Sequence, residues 1–152
     1  MHMEVDELYM DLALAEAKKA EASGEVPVGA VVVADGLVVG RGFNRPISSN
    51  DPTAHAEILA MREAALKLGN YRLSAVTVYC TVEPCMMCAG AMIHARIARL
   101  VFGTPDPRAG SAGSIYNVLT DPRLNHRVDV FSGVRESECA DLLRDFFARR
   151  RS

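Results

Sequence analysis

The chain has 152 residues, 49% hydrophobic and 24% charged, with a net charge of −2, which suits one soluble domain, 1–152, with a sizeable core. No run approaches the ~18–20 apolar residues of a membrane span, and the acidic start, Met1 to Glu7, lacks the basic-then-apolar order of a secretion signal. A near-neutral charge excludes a generic polyanion binder, so any nucleic-acid contact must come from a local patch. The expected location is cytoplasmic, where the four cysteines are not expected to form a disulfide framework.

The first element is a helix over Asp6–Ala22, with Leu8, Leu12 and Ala15 at helical spacing and Gly24 as its stop. Val28–Ala34 reads as a strand, Asp35-Gly36 as a two-residue hairpin turn and Leu37–Phe43 as the returning strand. After a polar loop, Asp51-Pro52 is expected to open a helix running to Leu68, closed near Gly69. A strand is expected over Ala75–Thr81, a helix from Cys85 to about Ala95 and a strand over Arg99–Gly103. The segment from Thr104 to Gly113 is an irregular loop. A short helix over Ser114–Leu119, a strand over Arg127–Val134 and a helix over Glu136–Arg150 complete the chain. This alternation predicts a three-layer α/β/α domain with helices on both faces of one sheet.

Two motifs carry the chemistry: His55-Ala56-Glu57 and Pro84-Cys85-Met86-Met87-Cys88. One imidazole and two thiols make an incomplete zinc site, and an incomplete site leaves room for water. Cys85 and Cys88 are three apart at a helix start, where free N–H groups favour thiolate. Two thiolates neutralise Zn²⁺, so its water is acidified less than at a three-histidine site, and a nearby base gains value. Glu57 is the candidate for that base. His55 and Glu57 are only two apart, so they share a pocket only if their helix approaches it end-on. Cys80 and Cys139 sit in apolar patterns and read as core residues. Met86 and Met87 read as helix packing.

His-x-Glu followed by Pro-Cys-x-x-Cys is the pattern of the zinc nucleobase deaminases. The flanking segments narrow it: Glu25-Val26-Pro27-Val28-Gly29, Asn44-Arg45-Pro46-Ile47, Asp51-Pro52-Thr53-Ala54, Asn70-Tyr71-Arg72-Leu73, Ala112-Gly113-Ser114, Asn125-His126-Arg127-Val128 and Asp145-Phe146-Phe147. On these the chain resembles the bacterial tRNA-specific adenosine deaminases along nearly its whole length. The resemblance implies a cytidine-deaminase-like fold with a five-stranded mixed sheet, a homodimer, and one Zn²⁺ per subunit. It implies hydrolysis of the wobble adenosine of a tRNA anticodon to inosine, usually in the arginine tRNA that reads with ACG. Carried onto this sequence, His55, Cys85 and Cys88 are the zinc ligands and Glu57 the proton shuttle. Asn44 and the backbone N–H of Ala56 would contact the base, and Pro84 would be among the substrate-binding residues. Asp106 would accept a hydrogen bond from a ribose 2′-OH, although its proline-rich loop departs from the family pattern. Arg144, Arg149, Arg150 and Arg151 would meet RNA phosphates.

Rival readings remain at this point. Asn44 and Asp106 also suit a loop cap and a turn, and a basic C-terminal turn also compensates a helix dipole. Another zinc-dependent deaminase, of guanine or cytidine type, would share the metal motifs. A non-catalytic zinc-stabilised RNA-binding module would not require Glu57, and a thiol redox protein would not hold stoichiometric metal.

Overall fold

In the computed structural model, which describes residues 2–150, the elements are α1 (His2–Ala22), β1 (Gly29–Ala34), β2 (Leu37–Phe43), α2 (Ala56–Leu68), β3 (Thr77–Val82), α3 (Met86–Ala95), β4 (Arg99–Thr104), β5 (Asp129–Ser132) and α4 (Glu136–Arg150). The strands form one sheet in the order β2-β1-β3-β4-β5. β1 is antiparallel to β2 and β3, whereas β3–β4 and β4–β5 are parallel. The sheet is mixed and five-stranded, as expected.

Side-chain alternation builds the layers. Along β1, Ala30 and Val32 enter one buried cluster with Ala60, Ala64, Ala89 and Met92 of α2 and α3. Val31 and Val33 enter a second with Met10 and Ala13 of α1 and Cys139 of α4. Residues one apart on a strand face opposite sides, so a helix pair covers each face. No described helix is long and apolar enough to cross a membrane.

The close fit of α2 on β2 depends on glycine. A Cβ added at Gly40 would come under 3.0 Å from the Ala60 carbonyl, and one at Gly42 from the Ala56 carbonyl. Helix backbone therefore lies directly on strand backbone. The Asp35-Gly36 turn has both residues at positive φ, 51° and 74°, the geometry of a two-residue hairpin.

Several boundaries differ from the sequence expectation: α1 begins at His2 rather than Asp6, β3 runs over Thr77–Val82 rather than Ala75–Thr81, and three further differences have a visible cause or extent. α2 begins at Ala56 rather than at Asp51-Pro52, because Asp51 Oδ1 accepts hydrogen bonds from the Thr53 N–H and hydroxyl, at 2.8 and 2.7 Å. That local turn holds the chain out of the helix until His55, whose φ and ψ of −82° and 151° are extended. The short helix expected over Ser114–Leu119 is absent. Ala112 bridges to Asn117, and the Val118 N–H donates to the Ser111 carbonyl, so this segment folds back on itself. β5 is confined to Asp129–Ser132 within the expected Arg127–Val134.

Candidate active site

The metal-ligating residues stand at two helix starts. His55 is the N-cap of α2 and Cys85 the N-cap of α3, both extended, and neither side chain caps its own helix. Their side chains are thereby free to point beyond the helix ends. This removes the objection that His55 and Glu57 lie on different helical faces: His55 precedes the helix, and Glu57 is in its first turn.

His55, Cys85 and Cys88 converge, with one ligand atom from each lying within 4.8 Å of the others. His55 Nδ1 is 3.5 Å from Cys85 Sγ and 3.5 Å from Cys88 Sγ. Tetrahedral Zn²⁺, with Zn–S of about 2.3 Å and Zn–N of about 2.0 Å, spaces S from N by about 3.5 Å, so the donor set fits that ion in chemistry and in spacing. Three donors leave a fourth position open. A hydrogen bond with Cys88, and then His55, pulls the Cys85 thiol down to about 4. The same bond and burial push Cys88 up. The bond to Cys85 raises His55.

Glu57 is 4% exposed, and burial raises its carboxyl to about 7. It nevertheless lines a cleft of about 860 Å³ together with Asn44, His55, Cys85 and Asp106. A buried carboxyl that is near half-protonated at neutral pH, beside three metal donors, is suited to moving a proton in either direction.

The remaining expected site residues take varied positions. Asn44 lines the cleft, and its Oδ1 accepts the Ala56 N–H at 2.8 Å. It caps α2 from the position just after β2. The Ala56 N–H is thus committed to Asn44 rather than presented to a base, and Ala56 is fully buried. Pro84 is buried and does not line the cleft. Its carbonyl accepts the Ser111 N–H at 2.8 Å. Asp106 lines the cleft, and its Oδ1 accepts the Arg108 and Ala109 N–H groups at 3.0 and 3.3 Å, as a turn residue does. Arg144 and Arg150 also line the cleft. Arg144 pairs with Asp141, Arg150 donates to the Gly24 carbonyl and Arg149 pairs with Glu21 at 2.5 Å. Arg151 lies outside the described residues.

Phe146 is buried while Phe147, 45% exposed, lines the cleft. Met86 is 53% exposed and so is not core packing. Cys80 and Cys139 are buried core residues.

Two residues that the motifs did not flag hold the cleft's loops. Glu25 is buried and accepts the Ile47 and Ser48 N–H groups at 3.4 and 2.6 Å, fixing the loop after Asn44. Glu83 is buried and accepts N–H groups from Asp106, Ala112 and Ser114. Although burial opposes its ionisation, these bonds hold the Glu83 carboxyl below its usual range, as those to Glu25 do there. For Glu83 the sequence signal was a glutamate just before a proline at the end of a largely apolar run, Val76 to Val82; Glu25, after Ser23-Gly24, had no such signal.

Comparison with known proteins agrees with this geometry. Residues 3–104 match the family described as cytidine and deoxycytidylate deaminase zinc-binding region. A tRNA-specific adenosine deaminase of Haemophilus influenzae is 51% identical over 97% of this chain and 86% of its own. One from Bacillus subtilis is 47% identical over 98% of this chain and 92% of its own. A solved structure from a study of A-to-I editing by tRNA:A34 deaminases superposes with a TM-score of 0.86 and 47% identity, covering 89% of this chain and 98% of that one. A guanine deaminase from Nitrosomonas europaea superposes with a TM-score of 0.82 and 27% identity, over 93% of this chain and 84% of that one. With its donor triad, buried glutamate and matching sequence, the chain belongs to the zinc-binding cytidine and deoxycytidylate deaminase family.

Proposed function

We propose that the chain is a tRNA-specific adenosine deaminase that hydrolyses the wobble adenosine of an anticodon to inosine and releases ammonia. The observation that carries this is the buried Glu57 in one cleft with the converged His55, Cys85 and Cys88. The relatives matching over nearly the whole chain give the substrate. Zn²⁺ held by these three donors supplies Lewis-acid activation of water. Glu57 takes a proton from the attacking water and delivers it to N1 of the adenine ring. The water oxygen bonds to C6, Glu57 then takes the second proton from the new C6 hydroxyl and gives it to the amine, and the C6–N bond breaks as the C6 carbonyl forms and ammonia leaves. A carboxyl raised to about 7 suits both halves of that shuttle.

Asn44 spends its oxygen on Ala56, which leaves its amide N–H₂ as the group that would hold the base edge. Asp106, at the cleft wall, is the proposed acceptor of the ribose 2′-OH. Among the C-terminal arginines, Arg144 is best placed for phosphate, since it is 66% exposed and lines the cleft. A homodimer is supported by α3, where Met86 is 53% exposed and Gly90, one turn further on the same face, has open space above it. A cytoplasmic location and the arginine tRNA reading with ACG follow from the same family reading. Residues 1–152 act in it as one deaminase domain, supported by the continuous sheet.

The test incubates zinc-loaded protein with an anticodon stem-loop, with free adenosine and with guanine. Inosine should form in the stem-loop, and Glu57→Gln should retain zinc yet lose roughly 10²–10⁴-fold in kcat. Turnover of free guanine at the stem-loop's rate would instead favour the guanine-deaminase neighbour's chemistry.

A further inference from the structure

The glutamate that precedes the Pro-Cys-x-x-Cys ligands is neither a metal donor nor the proton shuttle, yet it is buried, and it lines the cleft. Burying a carboxylate is costly unless hydrogen bonds replace its water. Glu83 has that replacement in full. Oε1 accepts the Asp106 N–H at 2.9 Å and the Ser114 hydroxyl at 2.5 Å, and Oε2 accepts the Ala112 and Ser114 N–H groups at 2.9 and 3.0 Å. The next residue, Pro84, accepts the Ser111 N–H. Thus Glu83-Pro84 gathers both ends of the segment 106–114 that follows β4, and Cys85 follows directly.

The loop is built for this grip. Asp106 lies between Pro105 and Pro107, which have no N–H, so Asp106 supplies the backbone donor there, and it goes to Glu83. Gly110 faces the carboxylate closely: a Cβ on it would fall under 3.0 Å from the carboxyl carbon and from both oxygens. Pro105, Asp106, Pro107 and Arg108 form a wall of the cleft.

We infer that Glu83 is a positioning residue that sets this wall in register with Cys85, and through Asp106 fixes the enzyme's preference for ribose over deoxyribose at the edited nucleotide. The inference rests on the RNA-deaminase reading above. Glu83 touches no reacting atom; it acts through the loop. Replacing the carboxylate by an amide swaps one acceptor for an N–H₂ donor that faces N–H donors. Adding a methyl at position 110 pushes on the same grip from the other side while leaving the charge in place.

The experiment measures kcat and KM on matched RNA and DNA stem-loops, with zinc content and Tm, for wild type, Glu83→Gln and Gly110→Ala. Both variants are expected to keep one zinc, and to raise KM for the RNA stem-loop by about tenfold with a smaller change in kcat. The RNA-to-DNA ratio of kcat/KM should fall by a similar factor in each variant, and the two effects should not add when combined. A brace that serves only the fold would lower Tm and the active fraction while leaving KM and that ratio as in wild type. That result in either folded variant would overturn the inference. A wild-type protein that deaminates no RNA would overturn the deaminase reading itself, and the inference with it.

Discussion

At the scale of single residues, the site separates groups of similar chemistry by their surroundings. Glu57 and Glu83 are both buried, yet the Glu57 carboxyl is raised to about 7 by burial, whereas donated N–H bonds hold Glu83 down. One can exchange a proton near neutral pH, and the other stays an anion and a scaffold. The two ligand thiols diverge in the same way. In protein stripped of metal by a chelator, Cys85, partly buried and pulled to about 4, should already be thiolate at pH 5. Its alkylation by iodoacetamide should therefore change little between pH 5 and 8, whereas an ordinary thiol slows about tenfold per pH unit below its pKa of about 8.5. Cys88, raised and buried, should stay unmodified. Mass mapping of the adducts would show this, and restored zinc should block the reaction at Cys85. The identity of these residues was legible in the sequence because donor type and spacing are local properties. Glu83 was not legible as a clamp, because its partners lie 23 to 31 positions further along the chain.

Among the elements, what matters is how closely α2 is pressed onto β2. Gly40 and Gly42 let helix carbonyls sit on strand backbone, and the N-terminal end of α2 presents His55 and Glu57. Gly42→Ala meets the Ala56 carbonyl and Ala60 N–H rather than a flexible side chain. It should cost about 1–3 kcal/mol or more, visible as a lowered denaturation midpoint. It should also lower kcat in the fraction that remains folded, because it moves the first turn of α2. Most elements were readable from periodicity and glycine stops. The start of α2 was not, because Asp51 turned its side chain to Thr53 and left helix initiation to His55. The segment 114–119 departs from the expected helix because the Ser114 N–H goes to Glu83 and Asn117 bridges to Ala112, pairings that helical periodicity does not encode.

For the whole molecule, charge must be placed rather than accumulated, since the net value is −2. Arg149 is paired with Glu21 of α1, and Arg150 donates to the Gly24 carbonyl and covers Phe146. These two tie the end of α4 to the end of α1. Among the described residues, Arg144 pairs only within its own exposed turn, with Asp141. Arg144→Ala should therefore reduce the slope of log Kd for the stem-loop against log salt by roughly 0.7–0.9, whereas Arg149→Ala should leave it unchanged and lower Tm. Filter binding across a salt series would separate the two. One consequence of the ligand positions extends beyond catalysis. His55 and Cys85 occupy cap positions without capping, so the ion that binds them also fastens two helix ends that would otherwise fray. Asn44, just after β2, backs up the first of these, whereas in the first turn of α3 the Cys88 N–H is directed at the ligand Cys85 thiol itself. Chelation should therefore speed amide hydrogen exchange at both helix starts, and more in α3 than in α2. The metal would then be a latch whose release is felt first on the cysteine side.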